Sequence, residues 1–275
     1  MAGPILKHPP PATATGGRVW LLAGTGEGPA LAEALGRRGW RVRVSVVGAA
    51  AALAYPPRPW LEVEVGSIGA AAASPEEGVL RELERAEVEG RAFDWVVDAT
   101  HPFARRISTA LASACGVRRQ PLLRLQRPLL PAAPGTVLAT PAELTSRIRP
   151  GERLLLALGA RHLHGLVRLT PGAVHHARIL PSAAALRQAR AAGLPDGRIA
   201  CLRPGDDAQV ERGLCRRWGI ETVICRRSGG PPERHWQAIT AELGLRLLRL
   251  ERPAEPDGVV SLPAEELLAR IGTAP

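Results

Sequence analysis

The stretch W-V-V-D-A-T-H-P, residues 95–102, places a short apolar run directly before a polar cluster. An apolar run of this length is typical of a buried strand in a parallel sheet. Open α/β sheets bind their ligands at the carboxyl ends of such strands. Pro102 suits the first turn of a following helix, which predicts Thr100 or His101 as the helix cap. We therefore expect the side chains of Thr100 and His101 to face a ligand crevice.

A second informative segment lies near the start of the chain. An apolar run at residues 19–23 is followed by the turn G-T-G-E-G at 24–28, and Pro29 then opens a helix. Backbone N–H groups at a helix N-terminus bind phosphate, and glycine lets the anion come close to the backbone. The spacing differs from the dinucleotide pattern G-x-G-x-x-G, so a tight turn without a ligand is the alternative. The order of strand, turn and helix favours a phosphate site.

The remaining sequence predicts two half-chains with the same order of elements. The segment L-R-L-Q-R-P at 123–128 is nearly repeated as L-R-L-E-R-P at 248–253. A chance match in a chain rich in arginine and leucine is the alternative, but the matching order of elements favours an internal repeat. Further strands are expected at residues 41–47, 62–65, 122–125, 153–158, 173–179, 198–202 and 222–225, and helices at 76–87, 107–115 and 207–218.

The length of 275 residues also favours two domains. We predict an α/β fold with two Rossmann-like three-layer domains, mainly parallel sheets and an active site in the interdomain cleft. The expected bounds are a flexible tail at 1–17, a nucleotide-binding domain at 18–130 and a substrate-binding domain at 131–275. In the second domain, the polar cluster at 226–230 should occupy the place that residues 100 and 101 occupy in the first.

The chain is strongly basic, with a formal net charge of +10, and Lys7 is its single lysine. Arginine binds carboxylates and phosphates through paired hydrogen bonds, so we expect an anionic small molecule as partner. Scattered arginines and an aromatic content of only 3% disfavour a nucleic acid partner. The sequence shows neither a membrane-spanning run nor a signal peptide, and its four cysteines lack C-x-x-C spacing. We therefore expect a cytoplasmic protein with free thiols and no membrane partner; the oligomeric state stays open, with a monomer among the alternatives.

The tip of the second predicted strand bears on the cofactor. NAD-binding domains usually place an acidic residue there, which holds the ribose hydroxyls. Here the tip reads V-S-V-V-G at 44–48, without a carboxylate. Ser45, with Arg43 or Arg58, is expected to receive a 2′-phosphate instead, which favours NADPH over NADH. A methyltransferase that binds S-adenosylmethionine is the enzymatic alternative, and a basic nucleic-acid-binding protein is a more distant one.

Five motifs occur in the order found in precorrin-6A reductases. They are G-T-G-E at 24–27, D-A-T-H-P-F-A at 98–104, L-R-L-Q-R-P at 123–128, R-I-L-P at 178–181 and S-G-G at 228–230. The chain resembles this family from about residue 18 to residue 253, and the D-A-T-H-P segment is rather specific to it. The resemblance implies an NADPH-dependent enzyme of cobalamin biosynthesis. Such an enzyme reduces one double bond of precorrin-6A or cobalt-precorrin-6A, an anionic tetrapyrrole bound between two α/β domains.

The motifs and the resemblance together select candidate site residues. His101 is the candidate catalytic residue, as a proton donor, with a capping or ribose contact as the alternative. The expected cofactor-binding residues are Gly24, Thr25, Gly26, Glu27, Ser45, Thr100, His101 and Pro102. The expected substrate-binding residues are Arg161, Arg226, Arg227, Ser228, Gly229 and Gly230. No metal site is expected, because the paired histidines lack the Cys, Asp or Glu partners that zinc normally has nearby.

Some positions depart from the family pattern or allow two interpretations. The loop R-P-G-D at 203–206 replaces a common G-P-F-S, so its substrate contacts are not carried over. R-R-S-G-G at 226–230 keeps one cation of the family pattern and adds another, while the turn that contains Arg161 is shifted by one residue. Asp98 either anchors the following turn or has a functional role. Arg124 and Arg249 alternate with leucines and are expected on solvent or interdomain faces.

Overall fold

The computed structural model describes residues 16–131, 134–203 and 208–275. Nearly all of the predicted tail, and positions 204–206 of the departing loop, lie outside these residues. The chain divides into two compact units. The first comprises the described residues up to Gln126 together with Ala254–Pro275, and the second comprises the described residues within Arg127–Pro253. In the part of the chain that the structure describes, no helix is both long and apolar enough to cross a bilayer.

Each unit contains one six-stranded sheet between layers of helices. The strands are β1 (Arg18–Ala23), β2 (Arg41–Val46), β3 (Leu61–Val65), β4 (Trp95–Ala99), β5 (Leu122–Leu125), β6 (Thr136–Leu138), β7 (Arg153–Leu156), β8 (Val174–Ile179), β9 (Ile199–Cys201), β10 (Thr222–Arg226), β11 (Arg246–Leu250) and β12 (Val260–Leu262). The α-helices are α1 (Gly28–Gly36), α2 (Ala49–Ala52), α3 (Pro75–Val88), α4 (Arg105–Arg118), α5 (Leu144–Arg147), α6 (Leu163–Leu169), α7 (Ala183–Ala191), α8 (Gln209–Trp218), α9 (Pro231–Leu243) and α10 (Ala264–Ile271).

The sheet of the first unit is covered on both faces. Successive residues of a strand point to opposite faces, so Leu21 and Trp20 of β1 enter different cores. Leu21 packs in the core that contains α1 and α10, whereas Trp20 packs with α3 and α4. In the second unit, neighbouring residues of β7 also enter different cores. Leu156 packs with α6 and α7, whereas Leu155 packs with α8 and α9. The predicted three-layer α/β fold is confirmed.

The two sheets have the same topology. The strand order is β12-β5-β4-β1-β2-β3 in the first unit and β6-β11-β10-β7-β8-β9 in the second. All of these neighbouring strands are parallel. β4 and β10 therefore occupy equivalent positions, as do β5 and β11, which carry the repeated L-R-L segments. This equivalence agrees with the internal repeat inferred from the sequence.

The sixth strand of each sheet follows the fifth strand of the other sheet along the chain. β6 follows β5 and pairs with β11, while β12 follows β11 and pairs with β5. The structure therefore divides the chain differently from the predicted domain bounds, because residues 254–275 return to the first unit. Both exchanged strands have only three residues, which is too short for a recognisable sequence period.

Arg124 and Arg249, which were expected on solvent or interdomain faces, are only 3% and 5% exposed and each has a charged partner in its own unit. Arg124 of β5 forms an ion pair with Asp98 on the neighbouring strand β4. The guanidinium of Arg249 in β11 lies 3.6 Å from the carboxylate of Glu233 in α9. Charged partners offset the cost of burying these arginines. The alternation with leucine was misleading because a central strand of a parallel sheet is buried on both faces.

Residues 254–275 should contribute strongly to the stability of the first unit. Leu267 of α10 is 0% exposed and packs in the core formed by β1, β2 and α1. Leu267→Ala is expected to lower the free energy of unfolding by about 2–5 kcal/mol, measured by urea denaturation. Leu53→Ala is the matched control, since Leu53 is 85% exposed. Equal unfolding midpoints for the two variants would contradict the assignment of this segment to the first core.

Candidate functional site

The two ligand motifs of the first unit meet between β1 and β4, where the strand order changes direction. A Cβ placed on Gly24 would lie 3.7 Å from the backbone nitrogen of His101. Thr25 Oγ1 donates a hydrogen bond to the carbonyl oxygen of Ala99 at 3.4 Å. The glycine turn (residues 24–28) and the first loop (residues 98–104) therefore form one continuous edge. Open α/β sheets bind ligands at such a position.

Two glycines of the glycine turn have different surroundings. A Cβ at Gly26 would have no heavy atom within 4 Å, so the backbone there is open to an approaching ligand. A Cβ at Gly28 would overlap the hydroxyl of Tyr55, so this glycine allows α1 to pack closely. Glu27 is the N-cap residue of α1. The N–H of Gly28 donates to the carbonyl oxygen of Thr25 at 3.3 Å and Pro29 has no N–H, so an anion here would be bound by the open backbone at Gly26 and by the helix dipole.

Asp98 anchors the first loop. Its Oδ1 accepts hydrogen bonds from the backbone N–H of Thr100 at 3.0 Å and from Thr100 Oγ1 at 2.7 Å. Its Oδ2 forms the ion pair with Arg124, whose guanidinium also donates to Ser108 Oγ at 2.7 Å. Of the two interpretations for Asp98, the geometry supports the anchor.

The predicted helix cap at Thr100 or His101 is wrong. Helix α4 begins at Arg105, with Ala104 as its N-cap residue. The N–H of Ala104 donates to the carbonyl oxygen of His101 at 2.7 Å, which forms a separate turn before the helix. Pro102 lies inside this turn, and Thr100 is already bound to Asp98. The extra turn moves the start of the helix further along the chain than proline placement suggested.

His101 is held by a hydrogen bond from the backbone. Its Nδ1 accepts from the N–H of Phe103 at 3.1 Å, and the centroids of the two rings lie 5.7 Å apart. A neutral imidazole that accepts at Nδ1 carries its hydrogen on Nε2. The ring therefore has a set orientation and a hydrogen-bond donor at Nε2, which suits contact with a ligand. Delivery of a proton would require a protonated ring, whose Nδ1 could no longer accept from Phe103.

The residues expected to receive a 2′-phosphate are engaged elsewhere. Ser45 is buried, and its Oγ accepts a hydrogen bond from Trp20 Nε1 at 2.8 Å. Arg43 is also buried and pairs with two glutamates. Arg58 lies three residues before the start of β3, at the amino edge of the sheet and opposite the edge expected for ligands, and its guanidinium lies 3.6 Å from the carboxylate of Glu33. The strand tip at 44–48 carries no carboxylate for the ribose hydroxyls, and the preference for NADPH stays a prediction.

A cavity of about 230 Å³ lies on the α3 side of the strand tips β2 and β3. Ser45 lines it together with Glu64 and Glu82. The carboxylates of Glu64 and Glu82 pair with Arg43, and Arg81, which also lines the cavity, pairs with Glu77. The arginines here are therefore already paired with carboxylates. The strand order places it away from the edge between β1 and β4, where the two motifs meet.

The second unit brings predicted residues together at the equivalent place, between β7 and β10. A Cβ on Gly159, in the turn after β7, would lie 3.9 Å from a guanidinium nitrogen of Arg226. Arg161 belongs to the short 3₁₀ turn Ala160–His162, directly after this glycine. The turn after β7 and the end of β10 therefore place Arg161 and Arg226 on one edge.

Positive charge is concentrated at this edge. Burial lowers the pKa of Arg226 to about 10, and the charge of Arg161 adds to the effect. Burial also lowers the pKa of His162, with further contributions from Arg226 and Arg161. Like charges held together in a half-buried place gain stability from a bound anion, and such groups often mark binding sites.

Most of the second loop (residues 226–230) is buried in the second unit. Ser228, Gly229 and Gly230 are buried, whereas Arg226 and Arg227 are half-buried. Arg227 forms an ion pair with Glu251 at 2.7 Å. The arginines are thus the more exposed part of the loop, and the direct ligand contacts predicted for residues 228–230 stay predictions.

Sequence reasoning missed two carboxylate partners, of which Glu233 is buried and Glu255 half-buried, and one histidine beside the arginines. Glu233 lies behind the second loop, Glu255 pairs with Arg124, and His162 joins the arginine cluster. An arginine in a central strand between leucines was the available signal, since such a residue must find a buried partner. Nothing in the local sequence indicated which carboxylate would supply it.

The positive charges of Arg161 and Arg226 should affect the titration of His162, which NMR can measure. The pKa of His162 should lie below its usual value, and Arg161→Gln should raise it, because one positive neighbour is removed. Arg187→Gln is the control, since Arg187 is exposed on α7 of the same unit. A His162 pKa that does not respond to Arg161→Gln would contradict the proximity of these two side chains.

Comparison with known proteins places the chain in a family. The model of the precorrin-6x reductases (CbiJ/CobK) matches residues 18–271. A cobalt-precorrin-6A reductase of Synechocystis sp. is 34% identical over 249 residues, which cover 88% of this chain and 91% of that protein. A precorrin-6A reductase of Mycobacterium tuberculosis is 30% identical over 250 residues, covering 89% and 93% of the two chains.

A solved structure of CobK precorrin-6A reductase has the same fold. It matches with a TM-score of 0.72 at 24% identity, and the match covers 93% of this chain and 96% of that one. The chain belongs to the precorrin-6x reductase family of cobalamin biosynthesis, whose members are oxidoreductases that act on a carbon–carbon double bond.

Proposed function

We propose that this protein uses NADPH to reduce one double bond of precorrin-6A or of its cobalt form. One observation carries the proposal: the glycine turn and the first loop lie side by side between β1 and β4 in a chain of this family. The family match favours this activity over the methyltransferase and nucleic-acid-binding alternatives. The names of the matched reductases support both forms of the substrate.

The first unit is the proposed NADPH-binding unit. The open backbone at Gly26 and the N-terminus of α1 would hold the diphosphate, with Gly24 and Thr25 beside it. NADPH is preferred to NADH because the tip of β2 carries no carboxylate for the ribose hydroxyls. When bound, the cofactor supplies a hydride, and the protein has to orient it and exclude water.

His101 is the proposed residue for contact with the reacting groups. Its ring is oriented by the N–H of Phe103, which leaves the hydrogen of a neutral ring on Nε2. Reduction of a double bond adds a proton to the carbon next to the one that receives hydride. A neutral ring does not readily give up this hydrogen as a proton, so proton donation by His101 requires the imidazolium, whose Nδ1 carries a hydrogen and can no longer accept from Phe103. Contact with the nicotinamide ribose through Nε2 is the alternative role, and it is compatible with the neutral ring.

The second unit is the proposed binding unit for the carboxylates of the tetrapyrrole. Arg161 and Arg226 lie on one edge, and the lowered pKa of Arg226 reflects burial beside another cation. A carboxylate placed there would relieve the repulsion and could form paired hydrogen bonds with either guanidinium. Arg227 can join if the substrate replaces Glu251 as its partner.

The direct test of the proposed function is an anaerobic assay of NADPH oxidation. Wild-type protein should oxidise NADPH when precorrin-6A or cobalt-precorrin-6A is added, and NADH should support a lower rate. Product should form in equal amount to the NADPH consumed, as judged by the absorbance of the macrocycle. A folded protein that binds NADPH but turns over neither tetrapyrrole would contradict the proposed activity.

The open space at Gly26 allows a sharper test of the nucleotide site. Gly26→Ala should leave the unfolding midpoint unchanged but weaken NADPH binding roughly tenfold, because the new methyl group occupies space meant for the ligand. Gly213→Ala in α8 is the matched control, since a Cβ there also meets nothing within 4 Å. Calorimetric titration with NADPH gives the affinities. Equal affinities for wild type and Gly26→Ala would place the diphosphate elsewhere.

A further inference from the structure

The peptide bond between Ser228 and Gly229, called the 228–229 peptide, is held by charged side chains at both of its polar groups. Its carbonyl oxygen accepts hydrogen bonds from Arg252 at 3.0 Å and from Arg127 at 3.3 Å. Its N–H donates to Glu233 Oε2 at 2.7 Å. Hydrogen bonds to charged groups are stronger than neutral ones, so this peptide has a fixed orientation.

Glu233, whose carboxylate accepts the hydrogen bond from the 228–229 peptide, is itself stabilised by a neighbouring positive charge. Glu233 is only 1% exposed, and its other oxygen lies 3.6 Å from the guanidinium of Arg249. The positive charge of Arg249 offsets the cost of burying this carboxylate. Glu233 also stands in the first turn of α9, where the helix dipole favours a negative charge. Loop, helix and strand β11 are thus connected through one carboxylate.

The 228–229 peptide also packs closely against the chain that follows β5. Gly229 has a φ of +76°, and a Cβ there would overlap the carbonyl oxygen of Pro128. Arg252 joins the two segments, because its second nitrogen donates to the carbonyl oxygen of Arg127 at 2.6 Å. Arg127 and Arg252 occupy equivalent positions in the two L-R-L-x-R-P repeats. Both repeats therefore contribute an arginine to the same carbonyl oxygen.

The first unit supports its equivalent loop in a similar way with different residues. Asp98 accepts from the backbone N–H of Thr100, and Arg124 lies behind it. Asp98 belongs to strand β4, whereas Glu233 belongs to helix α9, so the two carboxylates are not equivalent in sequence. In each unit, a buried arginine and a carboxylate therefore fix the loop that follows the equivalent strand, β4 or β10. Both loops contain residues expected to bind ligands, which indicates a functional need for rigidity.

We propose that Arg127, Arg252 and Glu233 are positioning residues that fix the 228–229 peptide, so that the second loop presents Arg226 and Arg227 to substrate carboxylates in a preformed arrangement. This inference rests on the proposed function. Rigid recognition loops bind more tightly because less conformational freedom is lost on binding. Removal of the support should therefore weaken tetrapyrrole binding more than it affects the chemical step.

The test uses full-length protein with Arg252→Lys and Glu233→Gln. Lysine keeps the charge, but its single nitrogen cannot donate to residues 127 and 228 in the same geometry. Glutamine can still accept from Gly229 but loses the charge that faces Arg249. Both variants should raise the KM for the tetrapyrrole roughly tenfold, with kcat within about twofold of wild type and unchanged NADPH affinity. Arg187→Gln should leave all three quantities unchanged.

The KM for the tetrapyrrole distinguishes a positioning role of Arg252 and Glu233 from a purely structural one. A structural role would lower the unfolding midpoint and the active fraction while leaving KM unchanged. Unchanged KM in the folded Arg252→Lys variant overturns the inference, and so does an equal rise in the Arg187→Gln control. Arg252 is half-buried, so this variant suffices if Glu233→Gln fails to fold. Wild-type protein that turns over neither tetrapyrrole would instead contradict the proposed function on which the inference rests.

Discussion

Two buried arginine–carboxylate pairs, Arg124 with Asp98 and Arg249 with Glu233, hold the loops at the carboxyl ends of β4 and β10. A buried charge is tolerated only with a partner, and the loss of one member leaves the other uncompensated. Each carboxylate also accepts a backbone N–H of its loop, from Thr100 in one unit and Gly229 in the other. The loop conformations are therefore coupled to the cores of the sheets. This coupling gives the two proposed ligand-binding edges a fixed geometry.

Most of the fold follows from simple patterns. Apolar runs ending in glycine turns predicted β1 and β7, and those ending in polar clusters predicted β4 and β10. The repeated L-R-L segments indicated two sheets of the same topology. The exchange of β6 and β12 could not be predicted, because each has three residues and finds its partner far along the chain. The start of α4 was misplaced because the side chain of Asp98 binds Thr100 before a helix can begin. Long-range strand pairing, and side-chain hydrogen bonds that compete with helix formation, thus account for the errors.

The candidate site was predicted unevenly for similar reasons. Gly24 and His101 came together because parallel strands bring their carboxyl ends to one edge, and strand order determines which loops meet there. Ser45 is different, since the face to which it points depends on the register of β2 beside Trp20. The sequence predicted only part of the charge cluster around Arg226. Arg161 and Arg226 were expected to bind substrate, whereas His162 lies beside them because of a turn whose path the sequence does not specify.

The coupling of the first loop to its buried ion pair can be measured with a double-mutant cycle on Asp98 and Arg124, using the dissociation constant of NADPH as the readout. Asp98→Asn and Arg124→Met should each weaken binding roughly tenfold, and the double variant should bind no more weakly than either single variant, because the two residues act as one support. Additive losses, or folded single variants that bind NADPH like wild type, would contradict the claim that this pair sets the geometry of the site.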